Sequence, residues 1–226
     1  MVYNSETKPD IIRKVMIDQI QWMLFAIPSI LIASSVHEFA HAWAAYKLGD
    51  PTARMNGRLT LNPLAHVDPI GALMMIIARF GWSKPVPINE YNFKNPVAGT
   101  ALTSFAGPAS NLLLAFAASL LLRIIPHSAD LTTASLQTAY VLTLFITFIT
   151  VNISLAVFNL LPVPPLDGHK IVRAFLPKSL RYYWESLDRY GMWILVILFL
   201  PISPLYYVTM GVLSYLMSLF LTLLVG

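Results

Sequence analysis

Three long apolar stretches constrain this chain more than any other feature. They run over Trp22–Leu48, Gly99–Ile125 and Leu136–Leu161. At about 1.5 Å per helical residue, each is long enough to cross the roughly 30 Å hydrocarbon core of a bilayer. Only 12% of the 226 residues are charged, against about 25% in a typical soluble domain. The sequence therefore predicts an all-α, polytopic membrane protein.

The remaining segments bring the expected number of membrane elements to about four to six. Ile70–Phe80 is too short to span and is interpreted as a re-entrant or interfacial helix. Tyr190–Val225 is interrupted by "PISP", so it predicts either one kinked helix or a short segment followed by a full span. Gly168–Arg189 is polar and basic, which indicates one or two surface helices. A cleaved signal peptide is the alternative for the first stretch, but helical sequence continues to Leu48.

Two short segments are expected to be extended or β pieces. "GRLTLN" alternates polar and apolar residues, and "KPVPINEY" lies within a proline-rich polar loop. We expect a single membrane domain over residues 1–226, with its core at about 22–173 and C-terminal membrane segments at 190–225.

The basic residues predict the orientation of the chain. The net charge of +4 is interpreted as an orientation bias and not as a nucleic-acid site. If the three long stretches cross, eleven basic residues face one side and four face the other, so the positive-inside rule places the larger group in the cytosol and the N-terminus outside. The first group is Lys47, Arg54, Arg58, Arg79, Lys84, Lys94, Lys170, Arg173, Lys178, Arg181 and Arg189; the second is Lys8, Arg13, Lys14 and Arg123.

The first stretch contains "HEFAH", a costly set of ionisable groups for a membrane helix. His37 and His41 are four residues apart, so both imidazoles lie on one helical face and can reach one metal ion. Neutral imidazoles suit zinc, which lowers the pKa of a bound water to about 7. Glu38 lies beside them, where it can handle the proton of that water. The alternative is two histidines that bond only to neighbouring groups, but ionisable residues within a span are by default functional.

Asp167 is the candidate for the third metal ligand. It follows the third stretch in "FNLLPVPPLDGHK", where three prolines end the helix and Gly168 permits a sharp turn. The orientation count places the ends of the first and third stretches on the same side, so Asp167 can lie at the depth of His41. An ordinary Asp-Gly turn is the alternative. No cysteine is present, which excludes thiolate ligands and a cysteine nucleophile.

"HEFAH" together with "NLLPVPPLDG" resembles the site-2 protease family of intramembrane zinc metalloproteases, in its short form without an inserted PDZ domain. "GRLTLNPLAHVDPIG", "GWSKPVPIN" and "FAGPASN" are also similar to family segments. The resemblance implies one Zn²⁺ on His37, His41 and Asp167, with Glu38 as general base. It also implies that the substrate is a transmembrane helix of another protein, cut within or at the edge of the bilayer. The catalytic core is then residues 22–173, and the two extended pieces are expected near the active site. An exposed strand edge there could pair with an unwound substrate.

Three further polar residues are candidates for contacting the substrate or the oxyanion. Asn111 and Asn159 are similar to family asparagines near the active site, and a buried amide could bond to a substrate backbone or to the oxyanion. Interhelical hydrogen bonding is the equally weighted alternative for both. His66, in "NPLAHVDP", is either a group that faces the substrate or a loop histidine at a turn. Gly107 is expected only to allow close helix packing.

The predicted function is that of an intramembrane zinc endopeptidase in the cell membrane, with its active site towards the cytosol. Two alternatives remain at this point: a membrane metallohydrolase that acts on a lipid or a prenylated peptide, and a catalytically inactive scaffold with a vestigial metal site. A transporter is less favoured, because the sequence has no internal repeat of broken helices.

Overall fold

The computed structural model describes residues 8–78, 81–124 and 136–225. Nine α-helices and three short 3-10 turns account for most of this part of the chain. The α-helices are α1 (Lys8–Lys47), α2 (Thr52–Met55), α3 (Pro69–Ala78), α4 (Pro96–Ile124), α5 (Leu136–Asn159), α6 (Asp167–Phe175), α7 (Lys178–Ser186), α8 (Gly191–Phe199) and α9 (Pro204–Val225). The 3-10 turns lie at Pro63–Ala65, Glu90–Asn92 and Leu187–Tyr190.

Four helices of the described part are long and apolar enough to cross a membrane: Met16–Lys47, Pro96–Ile124, Gln137–Asn159 and Pro204–Val225. The predicted all-α, polytopic membrane fold is confirmed. At the C-terminal end, the structure decides between the two alternatives. The short helix α8 ends before the "PISP" segment, and α9 follows it as a separate helix of spanning length. The predicted short helix at Ile70–Phe80 appears as α3; residues 79 and 80 lie outside the described residues.

Helices α1, α4 and α5 pack against one another, and α9 packs on α4 and α5. Small side chains line much of these contacts, among them Ala33, Ala45 and Ala115, each with no exposed surface. Lipid tails are as apolar as leucine, so close van der Waals contact between small residues is what favours helix association in a bilayer. A cluster that includes Ile149 and Ile153 of α5 fills the space between α4 and α9.

The predicted extended pieces do not form strands within the described residues. "GRLTLN" contains a turn and a bend, and "KPVPINEY" is irregular up to the 3-10 turn that begins at Glu90. An isolated antiparallel bridge joins Val67 to Ser83. The prolines at 85 and 87 have no N–H to donate to a neighbouring strand, which explains why pairing does not continue past the bridge.

The buried face of α1 explains how the polar groups of "HEFAH" avoid lipid. Ala26, Ser29, Ala33, His37 and His41 recur every three or four residues, and all five are buried. This spacing places them on one side of the helix, the side that packs against α4 and α5. Both histidines therefore point into the bundle.

Candidate metal centre

Three donor atoms from two distant parts of the chain converge inside the bundle. The Nε2 atoms of His37 and His41 are 2.9 Å apart. Oδ2 of Asp167 lies 3.2 Å from each of them. All three residues are buried, and together they form a group that could hold a metal ion. The structure thus brings the ends of the first and third long helices to the same level, as the three predicted crossings imply.

The Nδ1 atom of each imidazole is hydrogen-bonded to an oxygen that can accept a hydrogen bond but cannot donate one. The Nδ1–H of His37 donates to Oδ1 of Asn111 at 2.7 Å. The Nδ1–H of His41 donates to the backbone carbonyl of Thr103, also at 2.7 Å. When neutral, both rings therefore carry their proton at Nδ1 and present a bare lone pair at Nε2.

The amide of Asn111 is oriented by a second buried amide, that of Asn152. Asn152 donates to the carbonyl of Phe148 at 2.9 Å, so its own oxygen faces Asn111. Asn111 then donates to this oxygen at 2.9 Å and to the Ala33 carbonyl at 3.0 Å. Its carbonyl oxygen is left for His37. The structure therefore places Asn111 behind His37, where its amide is fully engaged, and not in a position to meet the substrate or an oxyanion.

The three donor atoms need a cation among them. Two lone pairs and a carboxylate oxygen at about 3 Å repel one another in a buried site. Oδ2 of Asp167 is buried and has no hydrogen-bond partner among the described residues, which leaves it available to a cation. Atoms bound at about 2.0–2.1 Å to tetrahedral zinc stand roughly 3.3–3.4 Å apart. The spacing and chemistry of this donor set therefore fit Zn²⁺.

Gly107 makes room for both imidazoles. A Cβ atom at this position would lie 2.5 Å from Cε1 and Nε2 of His41 and 2.6 Å from Cε1 of His37. Such distances are far below van der Waals contact, so only glycine fits. Sequence analysis assigned Gly107 to helix packing in general; the packing partners are the two candidate metal ligands.

Asp167 is the first residue of α6. Gly168 follows it, but its backbone is helical and not in a conformation that requires glycine. The expectation of a sharp glycine turn was therefore wrong. Glycine is needed for a close approach, because a Cβ would lie 2.3 Å from the carbonyl oxygens of Leu160 and Leu161. This contact sets α6 against the end of α5 and thereby sets the position of Asp167.

Ion pairs and a ring contact hold the rest of α6 in place. Arg173 forms ion pairs with Glu90 at 2.7 Å and with Glu185 at 2.6 Å. These ion pairs tie α6 to the 3-10 turn before α4 and to α7. Burial acts to lower the pKa of Arg173, but the two carboxylates outweigh it and raise that pKa. The imidazole of His169 stacks on Trp184 with ring centroids 4.7 Å apart. Burial lowers the pKa of His169, outweighing the opposite effect of Asp188, and so favours a neutral ring.

Glu38 is adjacent in sequence to His37, but its carboxylate is bound by a different part of the chain. Oε1 accepts a hydrogen bond from the Ser83 hydroxyl at 2.8 Å, and Oε2 accepts one from the Val86 N–H at 3.1 Å. The residue is buried and does not belong to the group of converging metal donors. Glu38 therefore lies apart from the three converging donors. Neither Ser83 nor Val86 carries a sequence signal that marks it as a partner of Glu38.

A cavity of about 440 Å³ lies next to this carboxylate, between α1, α3 and α5. Its lining is mostly apolar and includes Ser83, His66 and Asn159. The Nε2–H of His66 donates to the Thr60 carbonyl at 2.8 Å, which leaves Nδ1 buried and without a partner among the described residues. Asn159 donates to the carbonyl of Leu155 at 2.9 Å. Both residues thus lie on the cavity, apart from the metal donors.

Comparison with known proteins shows the family of the chain. The family model described as "Peptidase family M50" matches residues 25–200. The chain belongs to peptidase family M50, the site-2 protease family. It is 39% identical over 183 residues to "Putative zinc metalloprotease YwhC" of Bacillus subtilis, a match that covers 81% of this chain and 82% of that protein.

A second relative of this M50 chain is "Putative zinc metalloprotease Rip2" of Mycolicibacterium smegmatis. The two are 30% identical over 179 residues, which is 77% of this chain and 66% of that protein. No solved structure matches the chain. The names of the relatives agree with the predicted zinc cofactor, for which His37, His41 and Asp167 form a possible site.

Proposed function

We propose that this M50 protein is an intramembrane zinc endopeptidase that hydrolyses a peptide bond within or at the edge of a transmembrane helix of another protein. One observation carries the proposal: two buried imidazoles with bare Nε2 atoms and the Asp167 carboxylate converge inside a bundle of spanning helices, beside a mostly apolar cavity. A site for a water-soluble substrate would not need to be surrounded by helices of this length and hydropathy.

His37, His41 and Asp167 would hold the metal, and Glu38 would act as general base. Zinc, when bound, supplies a Lewis acid that polarises the peptide carbonyl and makes water nucleophilic near neutral pH. Glu38 accepts the proton of the attacking water and delivers it to the leaving amine nitrogen. Asn111 keeps His37 in the tautomer that binds metal. Asn159 and His66 line the cavity, where they would contact the backbone of the substrate.

The depth of the site supports cleavage within the membrane or near its edge. His41 lies six residues before the end of α1 at Lys47, which is roughly 9 Å along the helix axis. In the predicted orientation, this end of α1 faces the cytosol of a cell membrane. A peptide bond near the cytosolic end of a substrate helix would then lie level with the zinc ligands.

The test is purification in detergent, zinc analysis and a cleavage assay on single-span peptides. We expect about one zinc per chain and cleavage near one end of the peptide's apolar segment. Glu38→Gln should retain zinc and lower the cleavage rate by at least about 100-fold, since general-base catalysis contributes roughly 10²–10⁴-fold. Undiminished cleavage by Glu38→Gln would refute the assignment of the base. A wild-type protein that holds zinc but hydrolyses only lipid esters would refute the substrate class.

A further inference from the structure

One short loop, residues 83–86, holds both oxygens of the Glu38 carboxylate. The Ser83 hydroxyl donates to Oε1 at 2.8 Å and the Val86 N–H donates to Oε2 at 3.1 Å. A glutamate side chain has three rotatable bonds, so a helix alone leaves the position of its carboxylate poorly fixed. Two hydrogen bonds to a charged acceptor, one at each oxygen, define that position.

The 83–86 loop is in turn held by Arg58. The guanidinium of Arg58 donates to the carbonyls of Lys84 at 2.5 Å and Pro85 at 3.2 Å, and also to the carbonyl of Ala65. Arg58 is only 8% exposed, and no carboxylate among the described residues pairs with it. A buried cation is costly unless its N–H groups are satisfied. Here backbone carbonyls accept from Nη1 and Nη2, whereas Nε has no hydrogen-bond partner among the described residues. The bonds from Nη2 to Lys84 and Pro85 fix the loop.

The loop itself has little freedom to rearrange. Pro85 and Pro87 restrict the backbone on both sides of Val86. The N–H of Lys84 donates to the His66 carbonyl at 2.8 Å, which anchors the start of the loop. The donors of this loop are thus used within the protein, so residues 84–86 are poorly suited to pair with a substrate strand.

We propose that Ser83 and Arg58 are positioning residues for the general base: Ser83 fixes the carboxylate of Glu38, and Arg58 fixes the loop that carries Ser83 and Val86. The proposal rests on the proposed function, in which Glu38 moves a proton. A reacting group displaced by about 1 Å can lower a rate roughly 100-fold. Loss of either contact is therefore expected to lower kcat and to leave KM and zinc binding nearly unchanged.

Ser83→Ala, Ser83→Thr and Ser154→Ala form the first experiment. Ser154 is the matched control, because its hydroxyl is also half-buried but bonds to the Thr150 carbonyl on its own helix and to the Met217 sulfur of α9, and not to Glu38. We expect Ser83→Ala to lower kcat about 10- to 100-fold, with KM within about 2-fold of wild type and full zinc content. Ser83→Thr, which keeps the hydroxyl, should restore kcat to within about 3-fold.

Three outcomes would overturn the role of Ser83: a kcat of Ser83→Ala equal to that of Ser154→Ala, a change confined to KM, or loss of zinc. Failure of Ser83→Thr to restore activity would do the same. These outcomes are separate from failure of the proposed function, which requires that the wild type does not cleave or that Glu38→Gln remains active.

Arg58→Lys and Arg181→Lys test the second residue. Lysine keeps the charge, but a single ammonium cannot reproduce the planar fork that spans several carbonyls. Arg181 is the control, because it also donates to a backbone carbonyl, that of Leu176 at 3.0 Å, but lies in α7 on the surface. We expect a kcat at least about 10-fold lower for Arg58→Lys alone, with zinc retained. Equal kcat values for the two variants, or loss of zinc from Arg58→Lys, would contradict the proposal.

Discussion

Gly107→Ala adds one methyl group at the point where α4 faces both candidate imidazole ligands. The new Cβ would lie 2.5 Å from two ring atoms of His41 and 2.6 Å from one of His37. Carbon atoms in contact are normally about 3.5–4.0 Å apart. The rings must therefore move by about 1 Å, or α4 must move away from α1. Either movement separates the Nε2 atoms from the position they share with Asp167.

The expected result is a large loss of zinc affinity with an intact fold. Disturbing groups that only orient metal ligands costs roughly 10- to 100-fold in affinity. Gly107→Ala displaces the ligands themselves, so a loss of at least about 100-fold is expected, which corresponds to about 2.7 kcal/mol. The measurement is competition with a calibrated chelator on detergent-purified protein.

Gly211→Ala is the matched control. Gly211 lies within α9, and a Cβ there would have no neighbour within 4 Å. The same chemical change should leave zinc affinity unaltered and stabilise α9 slightly, because alanine favours helix over glycine by about 0.5–1 kcal/mol. If Gly107→Ala binds zinc as tightly as Gly211→Ala, the three donor atoms are not the metal site.

Three other predictions test different parts of the structure. Asn152→Leu should weaken zinc binding about 10-fold, because it removes the hydrogen bond that orients Asn111, although residue 152 touches no metal donor. Wild-type zinc affinity in this variant would refute the orienting role of Asn152. Burial acts to raise the pKa of Asp50, but hydrogen bonds from Thr52 and Asn92 outweigh it and lower that pKa. Asp50→Asn should therefore lower the free energy of unfolding by about 2 kcal/mol at neutral pH. The difference from wild type should shrink as the pH falls below 3.8, the ordinary pKa of aspartate. A difference that grows in acid would contradict this prediction. The chain has no cysteine, so a single introduced cysteine reports its own accessibility. In sealed vesicles, Lys178→Cys should react with an impermeant maleimide from the cytosolic side, and Arg123→Cys should react from the other side. The reverse pattern would refute the predicted orientation.

Several features of the site could be predicted from sequence because they depend on local patterns. The spacing of His37 and His41 places both on one face of any helix, whatever surrounds it. Asp167 required one further step, a count of membrane crossings that places the ends of the first and third spans on the same side of the bilayer. The residues that surround these groups have no such pattern. Ser83 is an ordinary loop serine in the sequence, and Asn152 is one polar residue within a long apolar helix.

The sequence by itself determined the membrane class, three of the four spanning helices and the chemical identity of the candidate metal ligands. These follow from hydropathy, helical period and side-chain chemistry, which are properties of each segment alone. The tertiary structure decided which groups orient them. His37 and Asn111 are 74 positions apart, and Glu38 and Ser83 are 45 apart. Such pairs exist only because helices and loops pack at one particular distance and angle, and that packing is a property of the whole bundle.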